Sequence, residues 1–170
     1  MRIRRETPSD YTYIEALTYQ AFENHPHHEL GALPTEHLIV KMLRDAGALH
    51  LSLIAENEPG IVGHIAFSPI MINKQNCQWF GLGPVSVAPS HQRAGIGSKL
   101  IRKGIAILEQ QGAKGIVLVG EPEYYNRFDF KTDNRLSLPN VPNEYFLVLP
   151  LAGSSDNIPS GEVTYHSAFH

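Results

Sequence analysis

Val85-Ser86-Val87-Ala88-Pro89-Ser90-His91-Gln92-Arg93-Ala94-Gly95-Ile96-Gly97-Ser98-Lys99-Leu100 is the stretch on which the fold turns. It starts as an apolar, β-branched run, the composition of a strand, and Pro89-Ser90 end that strand. From Ile96 a helix is predicted, because Ile96, Leu100, Ile101, Ile105 and Leu108 recur at the spacing of one buried face. Between strand and helix lies Gln92-Arg93-Ala94-Gly95-Ile96-Gly97, a turn with two glycines and one cation. Glycine lets the backbone turn tightly and lets a ligand come close to the main chain. The first N–H groups of a helix have no intrahelical partner, and the helix dipole is positive at that end. Strand, glycine turn and helix in this order make an anion site, most naturally for phosphate or pyrophosphate.

Upstream, Ile3 to Thr7 reads as a first strand and Thr7-Pro8-Ser9-Asp10 as a helix start, ahead of Ile14, Leu17, Thr18, Ala21 and Phe22 at helical spacing. Glu23 to Thr35 reads as a loop. A second helix opens at Thr35-Glu36 and is expected to bury Leu38, Ile39, Met42 and Leu43, with Gly47 at its end. Leu49, Leu51, Leu53 and Ala55 alternate with polar residues, the pattern of a half-buried strand. Further strands are expected over Ile61 to Phe67, resuming at Ile70 to Ile72 after Pro69, and over Gln78 to Val87. Gly81, Gly83 and Pro84 interrupt the last of these, as at a bulge or at an edge freed from its neighbour.

Downstream, Gly112 is placed to end the central helix. Ile116 to Val119 is all apolar, as for a strand covered on both faces. Glu121 to Phe130 reads as a short helix with Pro122 in its first turn. Tyr145 to Leu151 and Glu162 to Tyr165 are strand candidates on either side of a polar loop, Ala152 to Ser160. No repeat or long linker divides the chain, so residues 1–170 are read as one domain of mixed α/β structure.

The chain's 170 residues are enough for a proper hydrophobic core. A net charge of −3 gives no electrostatic argument for nucleic acid or an anionic membrane as partner. No apolar run approaches membrane-spanning length. Met1-Arg2-Ile3-Arg4-Arg5 is basic, but polar residues from Glu6 to Asp10 leave no signal-peptide core. The single cysteine, Cys77, excludes an internal disulfide and the usual zinc spacings. A soluble cytoplasmic protein is expected, as monomer or homodimer.

Gln92-Arg93-Ala94-Gly95-Ile96-Gly97 resembles the Q/R-x-x-G-x-G/A pyrophosphate loop of the GNAT superfamily of acyl-CoA-dependent N-acetyltransferases. The Val-x-Val-x-Pro strand end before it and the amphipathic helix after it match as well. A second match is Tyr124-Tyr125-Asn126-Arg127-Phe128-Asp129-Phe130, similar to the Y-x-x-x-G-F element of many GNAT enzymes, with Asp129 where the family usually has glycine. The connection Gly120-Glu121-Pro122, the double tyrosine and the ending Gly161 to Phe169 resemble a bacterial subgroup, the YhbS-like proteins. The superfamily resemblance covers roughly Ile3 to Leu151.

The resemblance implies a GNAT-like fold of the α+β type: a mixed, mostly antiparallel central sheet of about 6–7 strands flanked by about four helices. In it the strand Gly81 to Val87 is splayed from Ile116 to Val119 to admit acyl-CoA. It implies acetyl-CoA as co-substrate, held by main-chain groups of Val85, Ser86 and Val87 and by the loop Gln92, Arg93, Ala94, Gly95, Ile96, Gly97 and Ser98. Tyr125 takes the place of the tyrosine that protonates the leaving thiolate. The acceptor amine must lose a proton before it attacks. Gln78 to Ser90 contains no carboxylate, so Glu121 is the preferred base, ahead of His64 and the histidines at 25, 27 and 28.

His25-Pro26-His27-His28-Glu29 is too compact for a closed tetrahedral metal site. No sequence neighbour lowers the pKa of Cys77, so direct transfer in a ternary complex is expected, without metal or acyl-enzyme. No Lys-Ser/Thr pair follows the glycines as in a P-loop. The acceptor, a small-molecule or peptide amine, is not specified by these residues. A non-catalytic acyl-CoA sensor is the alternative reading.

Overall fold

The computed structural model describes residues 1–23, 33–58, 60–151 and 158–170. Among them are strands β1 (Arg2–Arg5), β2 (Leu51–Asn57), β3 (Gly60–Ile72), β4 (Gln75–Val87), β5 (Gly115–Val119), β6 (Leu136–Ser137), β7 (Phe146–Pro150) and β8 (Gly161–Thr164). The helices are α1 (Tyr11–Phe22), α2 (Glu36–Asp45), α3 (Ile96–Gln110) and α4 (Pro122–Tyr125). The sheet runs β1-β2-β3-β4-β5-β7, with β8 beside β3 and β6 beside β8. The pairings β4–β5 and β6–β8 are parallel, and the other five are antiparallel. This is the mixed, mostly antiparallel sheet expected, with eight strands rather than 6–7. The addition is β6, whose two residues are too few for any alternation to appear.

Each face of the sheet has its own cover. On one side α3 lays Ile96, Leu100, Ile101 and Leu108 on Leu53, Ile65, Phe67, Ile116 and Leu118, all buried. The close fit rests on Gly104, where a side chain would run into the Phe67 ring. The opposite face meets α1 and α2 through Ile14, Val40 and Ile54. It also carries a second cluster built on Ile70, Trp79, Val148 and Val163.

That double cover accounts for two departures from the sequence reading. Strand β2 was expected to be half-buried, yet Leu51 to Ala55 are all buried, because α1 and α2 seal the face that carries Ser52 and Ile54. In α2, apolar side chains occupy nearly every position from 38 to 43, so the periodicity does not single out one face. The buried pair is Val40 and Leu43, while Leu38 and Met42 are 43% and 50% exposed. Pro69 does not break β3; it sits at a register shift inside one continuous strand. The loop from Glu23 to Thr35 lies largely outside the described residues.

An ion network ties the first strand to the helix that follows. Arg4 forks onto Asp10 at 2.8 and 3.0 Å and onto Glu56 at 3.0 and 3.2 Å. Asp10 also accepts the Thr7 amide at 2.7 Å, and with Arg4 alongside its pKa falls to about 2. A second polar chain runs inward: Arg44 holds Glu6, Glu6 accepts the Ser52 hydroxyl at 2.6 Å, and Ser52 meets His64 Nε2 at 2.7 Å. His64 is completely buried, and its Nδ1 has no partner among the described residues.

Burial drives the His64 pKa down to about 4, although Glu6 works against it. Between that value and the ordinary one near 6.5, the unfolded chain binds a proton here that the folded chain does not. Stability therefore rises with pH across this window, by about 3 kcal/mol in all. Urea unfolding at a series of pH values from 5 to 7, above the range where the Asp10 and Glu56 carboxyls titrate in the unfolded chain, is expected to show this slope, and His64→Phe should remove most of it.

Candidate active site

Strand β4 keeps β3 as a neighbour to its end, with Val87 opposite Gly63, but it holds β5 only briefly. The parallel pairing covers Trp79–Gly115, Phe80–Ile116 and Gly81–Val117, and beyond it the strands part. The cause is local. Val85 faces Ile65 and Leu82 faces Phe67, so β4 carries one residue more than β3 between these pairs, a bulge at Gly83-Pro84. Pro84 has no N–H to give to a ladder, and Gly83 adopts φ +139°. After the bulge, the N–H of Ala88 bonds to Val62 of β3 at 2.8 Å. By the two-residue period of a strand, the main-chain groups of Val85 and Val87 then face away from β3, into the gap. Gln92 Nε2 donates to the Val87 carbonyl on that side at 3.1 Å.

The glycine turn follows. Arg93 and Gly95 both take left-handed backbone, at φ +66° and +82°, and Gly95 is the residue that caps α3. Only glycine adopts that conformation without strain. The first helical bond of α3 runs from the Lys99 N–H to the Gly95 carbonyl at 3.1 Å, which leaves the preceding amides directed out of the helix. A Cβ at Gly97 would lie in van der Waals contact with the Tyr124 hydroxyl at 3.6 Å and Val87 at 3.7 Å, so the strand end, the first turn of α3 and Tyr124 converge there.

The gap widens into a cavity of about 860 Å³. Leu82, Pro84 and Val85 of β4 form one wall, and Val119 of β5 with Glu121, Tyr124 and Tyr125 form the other. Glu121 precedes α4 and its carbonyl accepts the N–H groups of Tyr124 and Tyr125, both at 3.1 Å; its side chain makes no cap and stands exposed at the cavity. The two tyrosine rings meet edge to face at 4.9 Å, and Tyr125 packs on Phe130 and Gly120. Burial, with Tyr124 adding to it, pushes the Tyr125 phenol up to about 12. Tyr124 is also raised by burial, against the pull of Arg127, whose guanidinium lies over its ring at 4.5 Å. Asp129 sits at φ +71°, a conformation that aspartate tolerates better than most residues.

Of the residues singled out in the sequence, Val85, Glu121 and Tyr125 share this cavity. Gln92 to Ser98 lie beyond its lining, at the head of α3, and Tyr124 bridges the two regions. Ser86 turns into the interior, where its hydroxyl donates to Thr18 at 3.4 Å. His64 is sealed beneath α1 and α2, away from the cavity lining. His25, His27 and His28 are outside the described residues. Tyr165 and Glu162 also reach the cavity, from β8 and its end; the sequence reading missed Glu162, because a short strand far along the chain carries no signal of where it docks. Among the described residues, no three His, Cys, Asp or Glu side chains converge as a metal site requires.

Comparison with known proteins agrees with this geometry. Residues 2–132 match the model of the acetyltransferase (GNAT) domain. The chain is 32% identical to the N-acetyltransferase YhbS of Escherichia coli, over all of this chain and 99% of that one. It superposes on a GNAT family acetyltransferase from Brucella melitensis, solved in complex with acetyl-CoA, with a TM-score of 0.85 and 43% identity, covering 99% and 97% of the two chains. The crystal structure of E. coli YhbS in complex with CoA gives a TM-score of 0.87 at 31% identity, over 99% and 91%. The chain belongs to the GNAT family of acetyltransferases.

Proposed function

We propose that the protein transfers acetyl from acetyl-CoA to a primary amine of a small molecule or peptide, by direct attack within a ternary complex. The observation that carries this reading is the wedge between β4 and β5, with β4 main chain outside the β5 ladder on one wall and Tyr125 and Glu121 on the other. The residues fit an acyl-CoA. The amides at the head of α3 suit a pyrophosphate, and Gly95 beside them has open space over its Cα. Val85 and Val87 offer N–H and C=O groups to an amide-bearing arm laid along the strand.

Acetyl-CoA supplies an acyl group activated as a thioester. The chain's own contribution is position and local electrostatics. A main-chain N–H of the Val85–Val87 stretch polarises the thioester carbonyl and steadies negative charge as it builds on oxygen. Tyr125, with its pKa near 12, is a phenol at neutral pH. A thiol titrates near ~8.5, so complete transfer of the Tyr125 proton to sulfur is uphill, and its main service is a hydrogen bond to the sulfur as charge develops there. Glu121, exposed at the cavity, takes the proton of the incoming ammonium directly or through water.

Two measurements test this. Calorimetric titration is expected to give micromolar binding of acetyl-CoA that disappears in the Gly95→Glu, Gly97→Glu double variant; no binding to the native protein overturns the reading. Tyr125→Phe is expected to lower kcat by about 10- to 100-fold while acetyl-CoA affinity stays within about 3-fold. Tyr124→Phe, beside Gly97, should instead weaken binding. A protein that binds acetyl-CoA but acylates no member of an amine library is a sensor.

A further inference from the structure

Gly120 is the residue at which β5 gives way to the segment that carries the two tyrosines. Its N–H bonds to the Tyr145 carbonyl at 2.9 Å, one step beyond the last β5–β7 pair, Val119–Phe146. The main chain is therefore fixed here to one wall of the wedge. A Cβ at 120 would lie 2.5 Å from Cε2 and 2.9 Å from Cδ2 of the Tyr125 ring, and 3.2 Å from Leu118. Gly120 does not use left-handed backbone, so no turn demands a glycine at this point. What excludes a side chain is chiefly the ring.

The rest of the ring's seat is aromatic. Tyr124 meets Tyr125 edge to face at 4.9 Å, Phe130 does so at 6.1 Å, and Phe128 stands tilted at 6.2 Å. Phe128 and Phe130 are buried in the core cluster that α3 covers. The Tyr125 N–H is held by the Glu121 carbonyl at 3.1 Å. Ring and backbone are thus both anchored. The Tyr125 hydroxyl bonds to no described residue, yet it is not shut off from solvent as that of Tyr165 is. A seated ring with an unpaired hydroxyl on the lining of the cavity gives the phenol a fixed reach.

We propose that Gly120 is a positioning residue for acyl transfer: its bare Cα, with Phe130 beside the ring, sets how far the Tyr125 hydroxyl stands from the sulfur of CoA. This rests on the acetyltransferase reading above and on the hydrogen bond assigned there to Tyr125. Carbon atoms in contact sit about 3.5 Å apart, so a methyl group at 120 drives the ring about 1 Å off its seat. A displacement of that size takes a hydrogen bond out of range or forces its partner to move. Phenylalanine at 125 keeps the ring carbons that Gly120 accommodates and removes only the hydroxyl. The two substitutions together therefore separate positioning from packing.

The test needs no acceptor. A phenol that donates to sulfur favours the thiolate of bound CoA and lowers the pKa of its thiol. Affinity for CoA, taken relative to desulfo-CoA, then rises with pH through the range near ~8.5 where a free thiol titrates. Glu121, Tyr124, Arg102 and Arg127, the nearby ionisable groups, are the same in every variant and act on both ligands. Calorimetric titration at pH 7 and pH 9 is expected to show the ratio rising about 5-fold in the native protein and less than about 2-fold in Tyr125→Phe. Gly120→Ala should match Tyr125→Phe, and the double variant should show no further change. In urea, Gly120→Ala should cost the same stability with either residue at 125. Phe130→Leu, which loosens the seat without touching Gly120, should also lower the rise. A full native rise in Gly120→Ala or Phe130→Leu, or a further change in the double variant, overturns the inference while the acetyltransferase reading stands. CoA that binds with no rise in the native protein removes the hydrogen bond of Tyr125, and this inference with it. Failure of CoA and acetyl-CoA to bind at all overturns the acetyltransferase reading itself.

Discussion

A parallel pairing only three residues long governs the rest of the molecule. In an uninterrupted sheet, β4 and β5 would stay bonded to their ends and no ligand could enter between them. Here the extra residue at Gly83-Pro84 bends β4 away after Gly81, and main-chain groups that a sheet normally satisfies internally are turned toward a cavity. Unpaired backbone is costly when it is buried without water or a partner. Opening onto a cavity resolves that cost and supplies a set of donors and acceptors already in place. The glycine turn at the head of α3 does the same with helix amides, and the two sets lie in line because the turn leads straight from β4 into the helix.

This alignment is held from both faces. On one, α3 is seated by Gly104 on Phe67 and by Ile96 near Gly63, contacts that leave the helix little freedom to slide. On the other, α1 and α2 cover the sheet through Ile14, Val40 and Ile54, with the Arg4–Asp10–Glu56 network tying the start of the chain to β2. The cover also buries polar groups: Ser86 reaches Thr18, and His64 reaches Ser52 and Glu6. One face of the sheet is oily and the other seamed with hydroxyls and an imidazole. A reading of strand alternation alone does not anticipate this, because it assigns such residues to solvent.

What the sequence disclosed follows from how local each signal is. The strand–turn–helix of Val85 to Leu108 is contiguous, and its periodicity and glycines carry the geometry, so the helix and the left-handed turn that caps it at Gly95 were legible there. The bulge was legible too, since Gly83 and Pro84 have few other uses within a strand. Tyr125 and Glu121 lie close together in the chain and share the cavity. Long-range placement was hidden. Nothing in Glu162 or Tyr165 says that β8 docks beside β3 and turns toward α2, and the even spread of apolar residues in α2 concealed which of them face the core. His64, read as a candidate base, is withdrawn from the cavity by two helices whose packing no single segment encodes.

Trp79 stands on Gly115 at the last stretch where β4 and β5 still bond, and no other residue type at 115 would leave room for the indole. This turns the foot of the wedge into a rivet. The aperture above can flex, but a tear cannot travel down the seam, because the large buried ring would have to leave its seat first. Amide hydrogens on the two sides of Gly81 are expected to exchange with solvent at different rates, slower below the rivet than in the opened arm. The depth of the opening is therefore set by where Trp79 seats on Gly115.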